Sequence, residues 1–233
     1  MSDLLFLDII EIAGTVAFAI SGIRLAAAKN FDWFGAYVVG LITAIGGGTL
    51  RDVLLALPVF WMQSGMYLAV TFLSLAAVIL FRRFLVGGMR TLFIFDAIGL
   101  ALFVVVGIEK TLAADYPAWV AIVMGIITGS FGGVTRDILI NEEPLFFRKD
   151  IYATACLAGG LVYTLVLLLP SATPLAAQIS CGITVIGLRI VAVYFGWSLP
   201  ILHIDPEDLP PETVQPSDKT TDTNDKTHER TTT

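Results

Sequence analysis

Two stretches of this 233-residue chain repeat one another, and each sets Gly-Gly-x-x-Arg-Asp inside an apolar run: Gly47-Gly48-Thr49-Leu50-Arg51-Asp52 and Gly132-Gly133-Val134-Thr135-Arg136-Asp137. The second copy lies 85 positions after the first. At the same spacing Glu11 recurs as Asp96, Gly14 as Gly99, Phe18 as Phe103, Gly22 as Gly107, Gly40 as Gly125 and Thr43 as Thr128. A gapless match of that length makes the chain a duplication, so one half constrains the other. Charges and clustered glycines inside apolar runs are costly in lipid, and they persist where protein or a water-filled cavity surrounds them.

The environment follows from composition. Hydrophobic residues make up 56% of the chain, charged residues 15%, and mean hydropathy is +0.83. Water-soluble domains hold about 25% charged residues and rarely string about 20 apolar residues together. The expectation is an all-α polytopic membrane protein of about seven helical spans, near 4 to 23, 33 to 57, 65 to 81, 92 to 109, 117 to 140, 151 to 169 and 175 to 197. Residues 1–204 then form the membrane domain, with repeat one about 4–83, repeat two about 90–169 and an extra span about 175–197. Residues 205–233, rich in Pro, Thr, Asp, Lys and Glu, are expected to be a disordered polar tail. Asp3, Asp8 and Glu11 precede or enter the first span where a signal peptide has a basic leader, so that span is expected to be retained.

Three spans per repeat is an odd number, so the second copy must enter the membrane inverted. Inverted repeats place equivalent features at a shared midplane, where transport sites form. Each glycine costs about 1 kcal/mol relative to alanine in a helix, so the second and fifth spans are expected to kink or unwind at Gly46, Gly47, Gly48 and Thr49, and at Ser130, Gly132, Gly133 and Thr135. Freed carbonyls there would suit a partly dehydrated monovalent cation, with Asp52 and Asp137 offsetting the positive end of the following half-helix. An unpaired guanidinium would be a barrier in such a path. Arg51 and Arg136 are therefore expected to pair with Asp52 and Asp137 across the pseudo-symmetry axis, or with Glu11 and Asp96, and to act in gating. Tight helix packing is the competing account of the glycines, and helix-end stapling of the charges.

Lys and Arg at the span ends set the orientation: Arg24 and Lys29, then Arg82, Arg83 and Arg90, then Arg148 and Lys149 share one side, which is expected to be cytoplasmic. The N-terminus is then outside and the C-terminus inside. Trp33, Trp61, Trp119 and Trp197 are expected at the interfaces. Cys156 and Cys181 read as buried small hydrophobes, and no metal-ligand spacing is present. No basic patch with interleaved aromatics points to nucleic acid, and no Gly-x-Gly-Asp, His-Glu-x-x-His or Gly-x-Ser-x-Gly pattern supports an intramembrane enzyme.

With the duplicated Gly-Gly-x-x-Arg-Asp motif, three plus three plus one spans and an outside N-terminus, the chain from Leu4 to Leu202 resembles the bacterial members of the trimeric intracellular cation channel (TRIC) family. The resemblance implies an inner-membrane homotrimer surrounded by lipid, without cofactors. Each protomer would have its own hourglass pore, lined by the first, second, fourth and fifth spans and passing potassium, or sodium, as the permeant ion. The same superfamily holds bacterial relatives described as glycine transporters, so alternating-access transport of a small zwitterion is the second expectation. The fourth span has no basic cluster like the lipid-binding one of animal channels, only Lys110 near its end, so phosphoinositide control is not expected.

Overall fold

The computed structural model describes residues 2–81, 89–147 and 151–198. They form seven α-helices: α1 (Ser2–Ala28), α2 (Trp33–Leu54), α3 (Met66–Leu80), α4 (Met89–Ala113), α5 (Ala118–Leu139), α6 (Ala153–Leu167) and α7 (Pro174–Phe195). A short 3-10 turn, Phe60–Met62, precedes α3. Five helices, α1, α2, α4, α5 and α7, are long and apolar enough to cross a membrane, whereas α3 and α6 are 15 residues each. The protein is thus an all-α membrane protein. The expected tail and the basic residues Arg82, Arg83, Arg148 and Lys149 lie outside the described residues. Arg24 does not follow the first span as expected; it is buried inside α1, which continues to Ala28.

The duplication extends to backbone detail. Both α2 and α5 end in a residue of left-handed conformation, Ala56 at φ 54° and Asn141 at φ 56°. In each, an amide further on closes back onto the helix, Leu57 N–H to Asp52 O and Glu142 N–H to Asp137 O, both 2.8 Å. The left-handed turn before them costs Ala56 about 1 kcal/mol that a glycine would avoid, so the geometry is imposed by the segment that leaves the helix.

The two halves meet along equivalent helices. A Cβ added at Gly47 would overlap the carbonyl oxygen of Thr128 on α5, and one added at Gly132 would overlap the carbonyl oxygen of Thr43 on α2. These contacts are reciprocal, as an approximate two-fold axis requires. They are also antiparallel: moving up α2 from Thr43 to Gly47, the partner on α5 moves down from Gly132 to Thr128. Helices α1 and α4 behave likewise, with Gly14 against Phe103, Gly99 against Phe18, and the Phe18 and Phe103 rings stacked at 5.3 Å.

The expected unwinding at the glycines is corrected here, because α2 and α5 run as uninterrupted α-helices through Gly46–Gly48 and Gly132–Gly133. The glycines serve close approach: with no Cβ at Gly47 and Gly132, the two backbones touch, which is how small residues drive helix association where lipid supplies no hydrophobic force. The glycine segments remain in the helical ladder, and several other carbonyls of α2 and α5 (Val39, Ile45, Met124, Ile126 and Phe131) take a second donor. Thr43, Thr49, Thr128, Ser130 and Thr135 each donate to the carbonyl four residues earlier, at 2.6 to 2.9 Å.

Candidate functional site: two charged nodes beside a glycine crossing

Each arginine of the repeated motif sits in the last turn of its helix, where a cation complements the helix dipole, and each is fully buried. In the first node Arg51 Nε donates to Asp52 Oδ1 at 2.8 Å, and its NH2 lies 2.7 Å from the same oxygen and 3.6 Å from Glu11 Oε1 of α1. Lys110 of α4 reaches both Glu11 oxygens at 2.7 and 3.0 Å, and Tyr67 of α3 donates to Glu11 Oε2 at 3.0 Å. The Phe60 ring lies under both cations, 5.7 Å from the guanidinium carbon and 5.3 Å from the ammonium nitrogen. Asp52 Oδ2 accepts the Phe60 amide at 2.9 Å, which ties the turn to the helix end.

The second node repeats this plan with different outer partners. Arg136 Nε donates to Asp137 Oδ1 at 2.8 Å, while its NH1 reaches Asp96 Oδ1 of α4 at 2.7 Å and Ser21 of α1 at 2.6 Å. Asp137 Oδ2 accepts the Leu145 amide at 3.1 Å, as Asp52 accepts Phe60. The second cation is Arg189 of α7, 3.8 Å from Asp96 Oδ2 and lying over the rings of Phe93 and Tyr152. Both nodes hold two cations and two anions, so neither leaves a net charge among these residues inside the bundle, where an unpaired ion is expensive.

The arginines therefore pair with the aspartate beside them and with Glu11 or Asp96, and not with an aspartate across the axis. The remaining candidate residues are not gathered into one constriction. Gly47 and Gly132 form the crossing, and the nearest atom to a Cβ at Gly46 is the Gly132 Cα at 3.7 Å. Gly48 makes room for the Phe60 ring, and Gly133 for the Tyr152 hydroxyl. Thr49 accepts a hydrogen bond from Trp61 Nε1 at 2.9 Å, so Trp61 anchors the helix end as well as any interface. Ser130 is buried, whereas Thr135 is only half-buried.

Tyr67, Tyr152, Phe60, Ser21 and Arg189 had no place among the residues expected from sequence, and Lys110 counted only as a span-end charge. The repeat contained a signal for two of them, since Tyr67 and Tyr152 share the same 85-residue spacing. Arg189 was equally visible as a lone guanidinium within the seventh apolar run. The two tyrosines yield a test. Tyr67→Phe removes a hydrogen bond to a buried carboxylate and should cost about 1.5–3 kcal/mol. The Tyr152 hydroxyl is buried with no partner among the described residues, so Tyr152→Phe should cost under about 0.5 kcal/mol or stabilise. Thermal unfolding of the two variants in detergent, in N-methylglucamine chloride without potassium or sodium, checks the contrast.

A sequence model described as glycine transporter matches residues 8–83 and again 93–167, so each half is one copy of the same unit. The chain is 41% identical over 200 residues to a UPF0126 membrane protein of Vibrio cholerae, covering 85% of this chain and 83% of that one. It is 37% identical to the UPF0126 inner membrane protein YadS of Escherichia coli K12, covering 84% and 96%. Among solved structures it is similar to a TRIC cation channel studied for its conductance, with TM-score 0.75 and 35% identity over 85% of this chain and 98% of the other. It is also similar to the TRIC trimeric intracellular cation channel orthologue of Rhodobacter sphaeroides, with TM-score 0.78 and 30% identity over 82% and 98%. These solved neighbours are channels and not enzymes.

Proposed function

The chain belongs to the glycine transporter family of UPF0126 membrane proteins, and from that membership and its likeness to TRIC cation channels we propose that it is a cation channel of the inner membrane. The permeant ion is monovalent, chiefly potassium, and the working form is a homotrimer with one path per protomer between α1, α2, α4 and α5. The N-terminus is outside and the C-terminus cytoplasmic.

The observation that supports this most is the pair of buried, charge-balanced nodes on either side of the α2–α5 crossing. On α1, Glu11 of the first node and Ser21 of the second are ten positions apart, about 15 Å along the axis at about 1.5 Å per residue. That separation is compatible with both nodes lying within a hydrocarbon layer of about 30 Å, which supports reading them as membrane-depth features. Antiparallel contact between equivalent helices favours inverted halves, with the axis in the membrane plane. In the described conformation the crossing is closed by backbone contact, so conduction requires α2 and α5 to separate there. Because helix carbonyls stay in their ladders, ions are met by carboxylates and hydroxyls, and selectivity among monovalent cations is modest.

Purified protein in planar bilayers tests this: potassium current is expected, and its absence at every voltage and pH tried rejects the channel. The family's description favours a second reading, transport of glycine by alternating access. Saturable uptake of labelled glycine by proteoliposomes, without unitary currents, would select it.

A further inference from the structure

The two nodes share a plan but differ in which side is left open: in the first the buried atoms unbonded among the described residues are cationic, Arg51 NH1 and NH2, whereas in the second they include a carboxylate oxygen. In the first, both Glu11 oxygens are engaged, by Lys110 and Tyr67. In the second, Arg136 takes only Asp96 Oδ1, and Asp96 Oδ2 is buried with no hydrogen-bond partner among the described residues. The Tyr152 hydroxyl and Arg189 Nε are orphaned in the same way. The sequence supplies the cause. Asp96 stands where the first repeat has Glu11, one methylene longer, and Leu145 stands where it has the Phe60 ring. With a shorter carboxylate and a smaller apolar neighbour, Tyr152 makes no hydrogen bond to Asp96, whereas Tyr67 bonds Glu11. Buried oxygens in native structures are rarely left without a partner, so an unfilled carboxylate oxygen of this kind calls for a guest.

Arg189 is placed as a competitor for that oxygen and not as its settled partner. Its terminal nitrogen is 3.8 Å from Asp96 Oδ2, too long for a hydrogen bond. Its guanidinium rests on the faces of Tyr152 and Phe93, 4.7 and 5.0 Å from the ring centroids, and its NH1 donates to the Ile151 carbonyl at 3.3 Å. Those contacts give the side chain a seat that does not depend on Asp96. When an outside cation reaches Asp96, Arg189 can remain on the rings while the node's carboxylate changes partner.

Resting on the channel reading, we infer that Asp96 Oδ2, with the Tyr152 hydroxyl, is a binding position for a partly dehydrated monovalent cation, and that Arg189 is a tethered cation competing for it. The seventh helix, which stands outside the duplication, thereby gives one end of the path a gate that the other end lacks.

The test measures unitary current against potassium concentration for wild type, Arg189→Gln, Arg189→Lys and Asp96→Asn in bilayers. Removing the competitor should lower the half-saturating potassium concentration at least about fivefold, and Arg189→Lys should recover at least half of that shift. An Arg189→Gln curve within twofold of wild type overturns the inference while leaving the channel intact; no current from wild type would instead reject the channel itself. A second measurement covers poor folding of a variant. The rise in unfolding temperature from N-methylglucamine chloride to potassium chloride at equal ionic strength should be larger in Arg189→Gln than in wild type and absent in Asp96→Asn. Equal increments in all three overturn the site.

Discussion

Gly47→Ala should destabilise the protein by about 3 kcal/mol or more, and Gly132→Ala by a similar amount. Ordinary overpacking costs about 1–3 kcal/mol because side chains shift to absorb it. Here the obstacle is backbone: the new methyl would overlap the Thr128 carbonyl oxygen in one case and the Thr43 carbonyl oxygen in the other. Neither oxygen can swing away without breaking its helix, so α2 and α5 must part. Gly46→Ala is the control on the same helix. Its Cβ would meet nothing nearer than the Gly132 Cα at 3.7 Å, and the better helix propensity of alanine should leave stability unchanged or raised by up to about 1 kcal/mol. Thermal unfolding in detergent separates the two outcomes. Equal effects at Gly46 and Gly47 would mean that these glycines act through helix propensity and not through the crossing.

Arg136→Met should cost about 3–5 kcal/mol, because it strands Asp96 and Asp137 as buried carboxylates without their main cation. Arg189, whose terminal nitrogen is 3.8 Å from Asp96 Oδ2, is beyond hydrogen-bond reach of that oxygen. Adding Asp137→Asn to Arg136→Met should recover part of the loss, a non-additivity expected when both members of an ion pair are removed. An exposed pair provides the scale: Lys29 pairs with Glu142, with side chains 41% and 39% exposed, and Lys29→Ala should cost under about 1 kcal/mol. Arg136→Met by itself, in which no anion is removed with the cation, also divides the two functions. Loss of a fixed positive charge should raise potassium conductance in a channel, whereas a carrier that holds a substrate carboxylate with Arg136 should lose uptake altogether. Bilayer current and glycine uptake on the same preparation decide between them.

The glycines illustrate where a sequence argument loses its hold. Clustered glycines in an apolar helix permit both unwinding and close approach, and a single chain does not say which. At Gly47 the answer depends on Thr128, a residue 81 positions away, meeting it across an antiparallel crossing. Arg24 failed for a related reason. Its charge suggested a helix end, yet it lies inside α1 and is buried by neighbours that only the folded bundle supplies. By contrast, Glu11 and Asp96 were legible, since a carboxylate at membrane depth needs a cation and the duplicated arginines were at hand.

The sequence by itself determined that this is an all-helical membrane protein, that it is built from two copies of one three-helix unit plus a seventh helix, and which charges must be neutralised inside it. Hydrophobic length, a constant spacing and the cost of buried ions are local or periodic quantities, and each is written in the order of residues. Only the tertiary structure decided that α2 and α5 stay helical and touch through Gly47 and Gly132. It also decided that Lys110 is the second cation of one node and Arg189 of the other, and that Asp96 Oδ2 has no hydrogen-bond partner among the described residues. Those outcomes turn on which faces of distant helices meet, to within the length of one methylene, and no spacing along the chain encodes that distance.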